Sequence, residues 1–227
     1  MQMIKGHWQL IVLTALVFAL WSNPVMIPLK ILIVFLHEFS HAAATILTGG
    51  SVISLDINAR QGGLVISQGG SRFLTLTAGY LGSLVIGVGL LIAALRTKAD
   101  RWIMAGCGAV TLLVAALYVR EGFALLFTIG TGVAMLLISR YLGHAVNDLV
   151  LRVIGLCSIF YVPYDIFSDT IARSFVRSDA RMLAEEFGGT TMIWGGLWLI
   201  ASLAVIGFCL RYGLGPSSNL PLPRRLR

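Results

Sequence analysis

Two histidines four positions apart, His37 and His41, enclose a glutamate in the run His37-Glu38-Phe39-Ser40-His41. On an α-helix this spacing is about 400° of rotation, so both imidazoles leave nearly the same face, one turn apart. Two such nitrogens suit one tetrahedral Zn2+. Glu38 follows the first ligand and can reach a water on the metal. It is the expected general base, taking a proton as that water attacks a carbonyl.

The same pattern on a soluble helix can be nothing more than solvated side chains. Here the three residues lie in a strongly apolar run, 25–47, whose only charge before His37 is Lys30. Ionisable groups at membrane depth are expensive and need partners. A metal supplies them.

A catalytic zinc usually has three protein ligands and one open position. The third must come from elsewhere, and Glu121, His144, Asp148, Asp165 and Asp169 lie in or beside apolar segments. The first three sit in a turn or a polar break, where solvated loop residues are the ordinary case. Asp165 stands out because a long apolar run precedes it and Ile166-Phe167 continue that run. Pro163 just before it opens the helix locally, and freed backbone groups are tolerated where they line a cavity. Asp169 lies four residues on, on the same face of a continued helix. Asp165 is the expected third ligand and Asp169 the alternative; a cap at a segment end is the competing reading of each.

These residues need a scaffold, and the composition says which. The chain has 227 residues, 57% hydrophobic and 12% charged, against about 25% charged in a soluble domain. This is the composition of an all-α polytopic membrane protein. About seven transmembrane helices are expected, over 8–21, 25–47, 73–95, 102–118, 123–139, 149–166 and 190–210. The first is short for a bilayer that takes about 20 residues, and is read as a retained segment rather than a signal peptide. Residues 1–213 form one domain, and 214–227, with three prolines and three arginines, a flexible basic tail.

Between the second and third segments the pattern changes. Residues 52–57 and 64–67 are β-like, with Arg60-Gln61-Gly62-Gly63 between them and Gly69-Gly70 after, so a small β-hairpin follows the His-bearing helix. Its edge could hold an extended substrate by strand addition. The third segment opens Ala78-Gly79-Tyr80-Leu81-Gly82-Ser83, small residues that allow a close pass against the His helix. The stretch 168–189 is the longest polar one and is expected at the interface or in water.

The net charge of +7 suits basic loops and tails beside anionic lipid. No basic-aromatic cluster outside the apolar segments points to nucleic acid. The loop 96–101 and the tail, on one side of seven spans, favour a cytoplasmic placement for that side; Arg173, Arg177 and Arg181 count against it. Cys107, Cys157 and Cys209 are far apart in apolar runs and read as buried small hydrophobes, not as a metal or disulfide framework.

With these residues in place, the chain resembles the site-2 protease family of intramembrane zinc metalloproteases, peptidase family M50. His-Glu-Phe-Ser-His in a membrane helix, the glycine-bounded hairpin and the Ala-Gly-Tyr-Leu-Gly-Ser opening carry the resemblance over roughly residues 25–170. The compact form without an inserted PDZ domain is most similar to the M50B-like branch. The resemblance implies zinc on His37, His41 and a distant aspartate, with Glu38 as base. It implies transmembrane protein substrates, such as anti-sigma factors or transcription-factor precursors, and a multi-pass place in a bacterial plasma membrane. The family's aspartate usually sits in an Asp-Gly pair. This chain has none. A catalytically inactive relative that binds transmembrane clients is therefore the alternative to a zinc metalloendopeptidase.

Overall fold

The structure is a computed structural model and describes residues 2–220. The helices are α1 (Gln2–Leu20), α2 (Ile27–Leu47), α3 (Arg72–Arg96), α4 (Asp100–Tyr118), α5 (Gly122–Tyr141), α6 (His144–Ile166), α7 (Asp179–Phe187) and α8 (Thr191–Phe208). Strands β1 (Ser51–Ile57) and β2 (Gly63–Gln68) form an antiparallel hairpin between α2 and α3. Among the described residues, six helical stretches are long and apolar enough to cross a membrane, and α1 holds a shorter apolar helix. The expected count of about seven, with a short first member, matches this arrangement.

α2 and α6 hold the centre. Ile31, Ile33, Phe35, Leu151, Ile154 and Cys157 are buried in one core cluster with Leu55 and Ile57 of β1. α5 and α8 turn large apolar side chains outward: Leu126 is 75% exposed and Ile200 68%. Water would not tolerate such faces, whereas lipid covers them without penalty.

Small residues set the close approaches. A Cβ on Gly87 of α3 would lie 2.3 Å from the Ser158 Cβ of α6, and one on Gly155 would lie 2.7 Å from the Gly87 carbonyl oxygen. The Ser158 hydroxyl donates to the Ser83 carbonyl across this seam at 2.8 Å. On the other side of α3, Gly82 faces Ser40 of α2, with 2.7 Å between an added Cβ and the serine Cβ. The expected close pass of the third segment against the His helix is therefore present.

Three segments differ from expectation. α6 begins at His144 rather than 149, because Asp148 and Arg152 neutralise each other one turn apart at 2.6 Å and so can be buried inside a helix. Residues 214–220 are not free: Ser218 donates its N–H to the Gly6 carbonyl at 2.9 Å, and Asn219 donates to Lys5 O at 2.7 Å, so this stretch lies along α1. The remainder of the expected basic tail, 221–227, lies outside the described residues. Past α6 the polar stretch begins with a π-helical run, Phe167–Ala172, before α7. α7 is amphipathic, with Ala180 and Leu183 fully buried, so the polar stretch is only in part solvated.

Candidate metal centre

α2 presents its motif to the interior. His37, Glu38 and His41 share a helix that is regular from Ile27 to Leu47, and both Glu38 and His41 are buried. The two imidazole Nε2 atoms lie 3.0 Å apart. His41 donates Nδ1–H to the Thr75 carbonyl of α3 at 2.7 Å. That bond fixes the tautomer and leaves the Nε2 lone pair facing its neighbour, as metal-ligating histidines require.

The third member comes from α7. Asp179 Oδ2 lies 3.0 Å from His37 Nε2 and 3.2 Å from His41 Nε2. Ser178 caps α7, its hydroxyl accepting from the Arg181 N–H, which places Asp179 in the first turn. Burial alone would push the Asp179 carboxyl up. The two imidazoles outweigh it and hold the group below the usual carboxylate range, so it stands ionised.

These donors fit zinc. Zinc–ligand distances of about 2.0–2.2 Å in a tetrahedron put ligand atoms about 3.3–3.6 Å apart. The three separations, 3.0, 3.0 and 3.2 Å, come within a few tenths of an ångström of that. Gly79 of α3 closes one side of the cluster. A Cβ there would lie 2.5 Å from the Nε2 of both histidines, so any side chain would occupy the space a metal needs. Among the described residues, His37, His41 and Asp179 are the one group placed to hold a metal ion.

Glu38 sits at the other side, under the hairpin. A Cβ on Gly63, the first residue of β2, would lie 2.4 Å from Glu38 Oε1. The cavity, about 440 Å³, is lined by the three cluster residues and Glu38, by Gly63, Leu64 and Val65 of β2, and by Tyr80 of α3. Tyr80 sets its ring edge-on to His37 at 4.6 Å.

Asp165 and Asp169, the expected third ligand and its alternative, line this cavity but stand outside the group of three that could hold a metal ion. Asp169 pairs with Arg173 and accepts from the Tyr80 hydroxyl at 3.4 Å. The reason is geometric. The π-helical run carries the chain past the cavity, and α7 then returns to it with a carboxylate already positioned by a capped turn. The other candidates are elsewhere: Glu121 caps α5, Asp148 pairs with Arg152, and His144 Nδ1 lies 2.7 Å from Asp100 Oδ2. The missed Asp179 had a signal. Ser178 precedes Ala180, Leu183, Ala184 and Phe187, apolar at helical spacing, with Arg181, Glu185 and Glu186 opposite.

A family model described as Peptidase M50B-like matches residues 10–209. No curated protein and no solved structure matches the chain.

Proposed function

The chain belongs to the M50B-like peptidase family, and from that premise we propose that it is a zinc-dependent endopeptidase acting on membrane-embedded protein segments. The observation that carries this reading is the meeting of two imidazoles and a carboxylate within 3.2 Å of one another, with Glu38 buried beside them. His37 and His41 would hold the ion through Nε2, and Asp179 through its carboxylate. A zinc ion held there supplies Lewis acidity, acidifying a water molecule and polarising a peptide carbonyl.

The protein's own groups do the rest. Glu38 accepts the proton of the attacking water at a carboxylate oxygen and returns it to the leaving nitrogen. Thr75 keeps His41 in the tautomer that leaves Nε2 free. Among the described residues β2 pairs with β1 alone, which leaves its other edge for an extended chain, and its first residue lies on Glu38. A peptide bond inside a helix is shielded, and strand addition at β2 would present it extended to the base. The missing Asp-Gly pair is the one ground for a non-catalytic client-binding protein; a carboxylate beside both imidazoles, from α7, supports the catalytic reading instead.

The test is metal content and cleavage in detergent-purified protein, with a single-span membrane protein as substrate. Wild type should hold one zinc per chain. Glu38→Gln should keep it and lose cleavage by about 10²–10⁴-fold, the range of general acid–base catalysis. Asp179→Ala should lose zinc, and Asp165→Ala should keep it. Undiminished cleavage by Glu38→Gln would sink the mechanism, and full zinc in Asp179→Ala would remove Asp179 from the ligand set.

A further inference from the structure

The cavity wall holds one carboxylate that nothing uses. Asp179 faces the imidazoles, and Asp169 is occupied by Arg173 and Tyr80. Asp165 lines the same cavity and, among the described residues, has neither a hydrogen bond nor an ion pair. The nearby cations do not supply one. Arg72 is engaged with Glu186 at 3.0 Å, Arg173 with Asp169, and Arg177, on the same wall, is not within ion-pair distance of it.

Asp165 is also an ionisable group at the end of a membrane-spanning stretch, between buried Val162 and Ile166. Such a group is costly unless a partner completes it. Its neighbours on the helix are satisfied by apolar packing, and the side chain itself borders the space a substrate must enter. What would complete it is a cation arriving with the substrate.

We propose that Asp165 is a specificity residue of this cavity, receiving a lysine or arginine side chain of the substrate at or next to the scissile bond. The proposal rests on the peptidase reading above. β2 forms one wall, with Gly63 on Glu38, and the end of α6 forms another. A peptide laid along β2 sends side chains to alternate faces at about 3.3 Å per residue. One side chain near the scissile bond therefore has a wall other than the hairpin to reach, and Asp165 is the free charge on it. The stem of a lysine or arginine is apolar and suits the Leu76 and Val34 surface of the same cavity.

The experiment uses zinc-loaded full-length protein in detergent and three short peptide hydroxamates that differ only in lysine, norleucine or glutamate beside the hydroxamate. Binding is measured by calorimetry, so no turnover is needed. The lysine peptide should bind about tenfold or more tightly than the norleucine peptide, the scale of one partly desolvated charge pair. Asp165→Asn should erase that ratio while keeping one zinc per chain, and Asp165→Lys should prefer a glutamate peptide instead. Equal binding of the lysine and norleucine peptides by wild type, or an unchanged ratio in Asp165→Asn, overturns the proposal and leaves the peptidase reading standing. Loss of zinc in Asp165→Asn overturns it by making Asp165 a ligand. Zinc-loaded protein that binds none of the hydroxamates counts against the peptidase reading itself, and the proposal falls with it.

Discussion

In the proposed centre, two glycines border different groups. Gly79 borders both histidines, whereas the atoms nearest an added Cβ on Gly63 belong to Glu38. Gly79→Ala would put a methyl group 2.5 Å from each Nε2, and zinc affinity should fall by about 10–100-fold or more, the scale seen when ligand orientation is disturbed. Gly63→Ala would put its methyl group 2.4 Å from the Glu38 oxygen. It should keep zinc and lose most cleavage. Metal titration against a chelator, run beside a cleavage assay, distinguishes the two; equal zinc loss in both variants would contradict this division. Neither glycine announces its role in the sequence. The motif His37-Glu38-Phe39-Ser40-His41 is legible because its spacing alone places both imidazoles. What faces them is not legible, because it depends on which helix passes by.

At the scale of elements, the third proposed ligand, Asp179, is only as secure as α7. Its attachment is largely apolar: Leu183 and Ala180 are fully buried, and Phe187 meets Phe73 edge-on at 5.6 Å. The Arg72–Glu186 pair is exposed on both sides. Leu183→Ala should therefore loosen α7 by about 2–5 kcal/mol, the usual range for such a deletion, and weaken zinc through Asp179 although Leu183 offers no ligand atom. Glu186→Gln should change zinc affinity little, since exposed ion pairs contribute about 0–1 kcal/mol. Chelator competition on the two variants checks the ranking, and a larger effect from Glu186→Gln would reverse it. α7 also marks where sequence reasoning stops. The long apolar spans and the hairpin are legible because twenty-residue hydropathy and alternating β-branched runs are strong signals. A nine-residue helix with arginine and glutamates outside reads as a polar loop, and its inward face shows only at a spacing of three to four. Asp165 draws attention because it interrupts an apolar run, whereas Asp179 is hidden among charges.

For the whole molecule, the seam between α3 and α6 fixes the position of everything else. α3 carries Thr75, Gly79 and Tyr80 to the site, and α6 ends at the cavity. Gly87 lies in this seam, and Gly89 has nothing within 4 Å of an added Cβ. Gly87→Ala should destabilise the protein by about 1–3 kcal/mol, as expected of overpacking, and so lower the melting temperature in detergent. Gly89→Ala should leave it unchanged or raise it through helix propensity. A thermal scan of both variants decides the matter; equal shifts would mean the seam does not limit stability. The span of the metal site along the chain has a further consequence, in the order of synthesis. His37 and Asp179 are separated by 142 positions. At about 5–20 residues per second, roughly 7–30 s pass between the making of the two. During that interval α2 has been made with His37, Glu38 and His41, while Asp179, the third proposed ligand, has not. The ribosome must deliver α7 before the metal can be held by all three. On the proposed reading the centre is complete only once most of the chain has been made, and a product ending before Ser178 would lack the carboxylate of Asp179.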